Sequence, residues 1–207
     1  MKTKADILVR LQREMLALQG IRSSPCNQDD ETSFGPINQS FPDATFPVTA
    51  VHEFFCTSME ERAASSAFIS GILSSRIRKG GTALWVSASQ KIFPPALTLL
   101  DILPDQIIFI YLRNEKEISW VVEEALKCNI LTAVACEMQE LSFTTSRRFQ
   151  LAIEKSGVPL FVLRYHPKNL ATTAVTRWHI KPLPTQMKDE LPGVGYPRWQ
   201  VNLLKVR

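Results

Sequence analysis

Residues 50–166 hold five short apolar runs, each separated from the next by a stretch of helical character. The runs are Ala50–Cys56 (AVHEFFC), Thr82–Ser89 (TALWVSAS), Ile107–Leu112 (IIFIYL), Leu131–Cys136 and Pro159–Tyr165. Between them, helices are expected over Glu60–Lys79, from Pro94-Pro95 to about Leu100, over Asn114–Lys127 and over Thr144–Ser156. Gly80-Gly81 supplies a stop for the first of these, and Asn114 with its following acids supplies a start for the third. Strands that are apolar on both faces belong to a mostly parallel sheet covered on both sides. Right-handed crossovers then leave few topologies. The expected class is α/β, with helices on both faces of the sheet.

The ends of the chain differ from this centre. In residues 174–206, VTRWHIKPL and RWQVNLLKVR alternate in the manner of antiparallel strands, around a polar loop with Pro192, Gly193, Gly195 and Pro197. Residues 3–19 show apolar positions at spacings of three and four (Ile7, Leu8, Leu11, Met15, Leu16, Leu18), which predicts an amphipathic helix stopped at Gly20. Residues 20–47 are rich in Ser, Asn, Asp, Pro and Gly and have no period, as in a linker. The expected division is an N-terminal helix over 1–19, a linker over 20–47 and a core over 48–207. The helix is either a frayed appendage or an arm that docks on a partner or a neighbouring copy. Phe41-Pro-Asp-Ala44 in the linker has the Phe-x-x-Ala form of recombinase oligomerisation tags, and reads otherwise as turn chemistry.

Composition narrows the function. With 207 residues, 45% hydrophobic and 21% charged, the chain has enough apolar material for a core without staples. A net charge of +4 permits contact with nucleic acid or an acidic protein without requiring it. Cys26, Cys56, Cys128 and Cys136 form no CxxC, and with only three histidines no zinc site can be assembled by spacing. Apolar surroundings for three of these cysteines suit reduced thiols in a cytosol. The apolar runs are far too short to span a bilayer, and MKTKADILVR lacks the apolar core of a signal peptide. Neither a Gly-x-Ser-x-Gly elbow nor an HExxH motif occurs. Glu60-Glu61 and Glu123-Glu124 read as solvated helix faces, since neighbours on a helix point apart. Trp85, Trp120 and His52 are expected in the core.

The first strand-to-helix turn tests nucleotide chemistry. A phosphate-binding enzyme needs bare backbone N–H groups there, on a glycine-rich loop that opens a helix. This turn reads Cys56-Thr-Ser-Met-Glu-Glu-Arg-Ala-Ala64, with no glycine between Gly35 and Gly71. Glu60 and Glu61 suit the helix dipole and repel phosphate.

At this point AVHEFF, TALWVSASQKIFPPAL, ISWVVEEALKC and LTAVACEMQELSFTTSRRFQLAIEKSGVPLFVLR stand in a telling order, followed by TAVTRWHI and RWQVNLLKVR. In these segments the chain resembles RecA-like core domains, and most closely the ImuA family, over about residues 36–207. The resemblance implies a RecA-like fold and a role as a degenerate RecA-like component of a bacterial mutagenic translesion-synthesis cassette. Laying the phosphate-loop pattern on the turn puts Cys56 and Glu61 at its two glycines. Arg62 then takes the lysine position and Ala63 the Mg²⁺-binding hydroxyl position. The general-base position falls near Ser89, and the acidic position that ends the fourth strand falls at Cys136, with Glu137 beside it. The expectation is therefore a fold without ATPase chemistry and without a cofactor.

What the resemblance implies is a cytoplasmic, non-catalytic adaptor in the SOS response, nucleoid-associated during damage. Its expected partners are an error-prone Y-family-like factor and a DnaE-type polymerase, with RecA and single-stranded DNA as further candidates. Contacts are sought at Arg147 and Arg148, which otherwise form surface ion pairs with Glu140 or Glu154. Thr144 or Thr145 is the expected cap of their helix. Arg177-Trp178 and Arg198-Trp199 are basic–aromatic pairs that can stack on bases, form a protein hot spot or sit in the core. Arg76, Arg78 and Lys79 suit the C-terminal end of a helix. Two other readings stand beside this one. A SulA-like cell-division inhibitor would bind the tubulin-like division protein, and a cryptic NTPase would bind nucleotide at a non-standard site.

Overall fold

The computed structural model describes residues 35–41, 45–78, 80–168, 171–186 and 195–206. The predicted helix over 3–19, residues 20–34 of the linker, Pro42–Ala44 of the Phe-x-x-Ala segment, Lys79, and Pro192 and Gly193 of the polar loop lie outside them. Residues from Ala50 onward form one compact unit. Ahead of it, a 3-10 turn spans Gly35–Ser40, and Phe41 meets Phe46 edge to face with centroids 5.4 Å apart.

Among the described residues of this unit there are seven strands: β1 (Val51–Cys56), β2 (Thr82–Ser87), β3 (Ile107–Tyr111), β4 (Leu131–Glu137), β5 (Leu160–Tyr165), β6 (Thr176–Gln186) and β7 (Tyr196–Val206). They form one sheet in the order β3-β2-β4-β5-β1-β6-β7. All pairs are parallel except β6–β7. The α-helices among the described residues are α1 (Met59–Ile77), α2 (Glu115–Leu126) and α3 (Phe143–Ser156). The segment after Pro94 is a 3-10 turn, Pro94–Leu100, ended by Asp101 in a left-handed conformation (φ 58°). Among the described residues, no helix is long and apolar enough to cross a membrane.

Side-chain parity assigns the faces. Val51, Leu84, Val86, Val134, Cys136, Leu160 and Val162 point to one side. There they form a core with Ile118, Val122 and Leu126 of α2 and Phe149, Ala152 and Ile153 of α3. Residues of the other parity meet α1: Phe54 contacts Phe68 of α1, and both contact Trp178 of β6. His52 sits on this second face, stacked 5.1 Å from Phe161 and 2.7 Å from the Thr176 hydroxyl. The sheet is therefore mostly parallel, covered by helices on both faces, with an antiparallel strand at its C-terminal end.

Local chemistry explains the ends of the helices. Ser58 caps α1 by accepting from the Glu61 N–H (3.2 Å). Asn114 caps α2 as expected. The cap of α3 is Ser142, ahead of the expected Thr144 or Thr145, and it accepts from the Thr145 N–H at 3.0 Å. Gly81 follows α1 with φ +137°, and a Cβ there would lie 2.4 Å from Thr132 Oγ1. Only glycine suits that close approach between the start of β2 and β4.

Candidate functional site: the turn after the first strand

The turn between β1 and α1 opens at the carboxyl ends of the parallel strands, where open α/β sheets bind ligands. Its anion-binding features are already engaged by the chain itself. Glu61 reaches back so that Oε2 accepts from both the Thr57 backbone N–H and the Thr57 hydroxyl, each at 2.8 Å. Its Oε1 lies 2.9 Å from Nε2 of His179 on β6. Burial pushes this carboxyl up, but the bonds from Thr57 and His179 outweigh it and hold the pKa at about 2. Glu61 is thus no solvated surface acid, contrary to expectation. It bends over the helix N-terminus and takes the place an anion would occupy. Glu60 beside it is exposed, as neighbours on a helix diverge.

Arg62, expected from the sequence at the lysine position of a phosphate loop, forms an ion pair with Glu137, the last residue of β4. The same guanidinium reaches Ser89 Oγ at 3.5 Å. Glu137 shares parity with Ala133 and Ala135, which puts it on the α1 side. Cys136, one residue earlier, points into the opposite core. Burial raises the thiols of both Cys56 and Cys136, that of Cys56 to about 12. The Cys56 thiol donates to the Arg164 carbonyl at 3.4 Å. Ala63 faces outward with no hydroxyl to offer a metal.

A second charged cluster lies inside the sheet. Glu53, fully buried on β1, is held between Arg164 on β5 (3.2 Å) and Arg177 on β6 (2.8 Å). The register sets Arg164 beside Phe55 and Arg177 beside Glu53. Both guanidinium groups also lie over the Phe55 ring, 5.8 and 5.0 Å from its centre. Desolvation lowers the pKa of Arg164, and Glu53 opposes that shift. Sequence reasoning did not find this triad. Its three members come from three strands, and only the strand order makes them neighbours.

The sequence-predicted contact residues fall in different places. Arg177 is taken up by Glu53. Trp178 is a core residue rather than a stacking surface, 1% exposed, with its indole N–H donated to Thr176 Oγ1 at 2.7 Å. Arg147 lies 3.9 Å from Glu154, as one expected alternative had it, while Arg148 pairs with Glu123 of α2. Both arginines remain more than half exposed. Arg198 is exposed on β7, and Trp199 is half-buried with its ring edge against Phe68. Arg76 donates to the Thr132 carbonyl at 3.2 Å, and Arg78 pairs with Asp101 at 2.8 Å. Trp85 is buried as expected, whereas Trp120 is 63% exposed. On α2 the buried positions are Ile118, Val122 and Leu126, and Trp120 lies on the far side of the helix from them.

No protein-family model matches the chain. The crystal structure of SulA from Pseudomonas aeruginosa superposes with a TM-score of 0.48 at 11% identity, covering 56% of this chain and 97% of that one. Over 190 residues the chain is 30% identical to Protein ImuA of Caulobacter vibrioides, in each of two strains, covering 84% of this chain and 78% of the relative. With that identity sustained over most of both sequences, the chain belongs to the ImuA family.

Proposed function

We propose that this chain is a RecA-like core that has given up nucleotide chemistry and acts as a non-catalytic adaptor in the bacterial DNA-damage response. In this reading it supports error-prone translesion synthesis by holding proteins together. The observation that carries it is the state of the β1–α1 turn. Glu61 occupies the backbone donor at the helix entrance, and Glu137 neutralises Arg62. A triphosphate would have to displace two internal carboxylates and would then meet their charge. The strand order supports the RecA-like part of the reading. It places β1 inside the sheet, between β5 and β6, with β2 two strands beyond β5. Membership of the ImuA family supports the damage-response part.

The proposed partners are an error-prone Y-family-like factor, a DnaE-type polymerase and RecA, with single-stranded DNA as a further contact. Arg147, Arg148 and Arg198 are the exposed cations offered to them. The test is a tagged pull-down from damage-treated bacterial lysate, read by mass spectrometry. Recovery of polymerase-family proteins or RecA, lost when residues 174–207 are removed, supports the adaptor. A catch dominated by the tubulin-like division protein moves the function to checkpoint inhibition. ATP-dependent stabilisation of the purified chain would overturn the non-catalytic reading.

A further inference from the structure

The described sheet has two open edges, β3 and β7. β3 is five residues long, whereas β7 runs for eleven and pairs along one side only, with β6. An open edge exposes unpaired N–H and C=O groups, which a further strand can satisfy. Irregularities bound the usable part of β7. Pro197 cannot donate, and the register shifts between Leu183 and Gln186 at one end and between Arg177 and Trp178 at the other. Between them, Arg198 to Leu203 pair without interruption against Leu183 to Trp178. Six regular residues suit strand addition.

Charge selects the occupant. The charged side chains of β6 and β7 are Arg177, Lys181, Arg198 and Lys205, and neither strand carries a carboxylate. Arg177 belongs to Glu53. Lys181 and Arg198 are both exposed. The register pairs Lys181 with Gln200 and Leu183 with Arg198, so the two cations are diagonal neighbours on one face of the ribbon. A second copy adding β7 to β7 would gather Arg198 and Lys205 from both chains on one ladder, with no anion among them. Nucleic acid would meet the cations but leave the edge amides without a matching ladder. We propose that β7 is an acceptor edge for an extended acidic segment of a partner protein. That segment adds along Arg198–Leu203 as an eighth strand and sets its carboxylates against Arg198 and Lys181.

The proposal deepens the adaptor reading and rests on it for the partner's biology, but its chemistry is tested on the purified full chain. The probes are fluorescein-labelled peptides of about eight residues alternating Val or Thr with Glu, a lysine counterpart, and the acidic peptide with a central proline. The acidic peptide is expected to bind at least tenfold tighter than either control, and to slow hydrogen exchange within residues 198–203. The K181E/R198E variant, confirmed folded by circular dichroism, is expected to reverse the charge preference. Equal binding of the lysine or proline peptide overturns the proposal, as does the absence of any protection on β7. Protection that grows with chain concentration alone assigns the edge to a second copy, and protection by oligo-dT assigns it to DNA. Either result also overturns the proposal. Peptide binding together with an empty pull-down would sink the translesion reading while leaving the edge intact.

Discussion

Arg62 of α1 and Glu137 of β4 form an ion pair across the carboxyl end of the sheet, with side chains only 15% and 8% exposed. Arg62 engages Oε2 of Glu137, while the buried Oε1 of the same carboxylate has no hydrogen-bond partner among the described residues. Removing one partner leaves a largely desolvated charge. Glu137→Gln is expected to lower stability by about 3 kcal/mol, whereas the apolar double variant R62M/E137L recovers most of that loss. Urea unfolding of the two variants checks both values. A single variant no less stable than wild type would show that the pair carries no weight.

The same pair predicts indifference to nucleotide. Anything that binds only the folded chain raises its melting temperature by mass action. With ATP and Mg²⁺ at millimolar concentration, the Tm of the wild-type chain is expected to stay unchanged. Differential scanning fluorimetry reads this directly, and a rise of several degrees would contradict the geometry of the turn.

Glu61 predicts a pH dependence. Its folded pKa of about 2 lies below its ordinary value of 4.5. The folded state therefore favours the ionised form, and the stabilisation is fully present above about pH 4.5. It is lost as the pH falls from there towards 2. A shift of that size corresponds to about 3 kcal/mol before screening, and the nearness of solvent at the mouth of the turn reduces it to about 1–2 kcal/mol. Glu61→Gln should lose this amount at pH 7, and the gap to wild type should close at acid pH. Denaturant melts at pH 7, 4 and 2.5 provide the comparison. A constant gap across that range would mean that the carboxylate's charge is not what matters.

Trp178, read from sequence as part of a basic–aromatic pair with contact or core alternatives, and Trp120, expected in the core, should separate cleanly. Trp178→Ala removes a fully buried indole stacked on Phe54 and is expected to cost about 3–5 kcal/mol. Trp120→Ala removes an exposed ring and is expected to fall within about 0.5 kcal/mol of wild type. Thermal unfolding of both variants decides the matter. Any partner contact made by Trp120 would then appear as lost binding without lost stability.

Arg177 and Arg198 need separate treatment in any interaction experiment. Arg177→Ala unpairs the buried Glu53 carboxylate from one of its two guanidinium partners and is expected to destabilise the chain by about 3 kcal/mol. Arg198→Ala on the exposed face of β7 should cost less than about 0.5 kcal/mol. Chemical denaturation beside each binding assay distinguishes a lost contact from a loosened fold.

The amino-acid sequence by itself determined the class and order of the elements in the core. Continuous apolar runs such as TALWVS are buried on both faces, and the helices between the runs cover those faces, so a mostly parallel sheet was legible before any coordinates. The absence of glycine between Cys56 and Ala63 was legible too, because it is a local property of the sequence. What the tertiary structure decided is which distant groups meet. Glu61 with His179, Arg62 with Glu137, and Glu53 with Arg164 and Arg177 are contacts between elements far apart in the chain. Strand order and register create them, and no local pattern encodes either. For the same reason Arg177-Trp178 and Arg198-Trp199 look alike in sequence but part in space. β6 is flanked on both sides and packs its tryptophan under α1, whereas β7 lies at the edge and leaves its arginine in solvent.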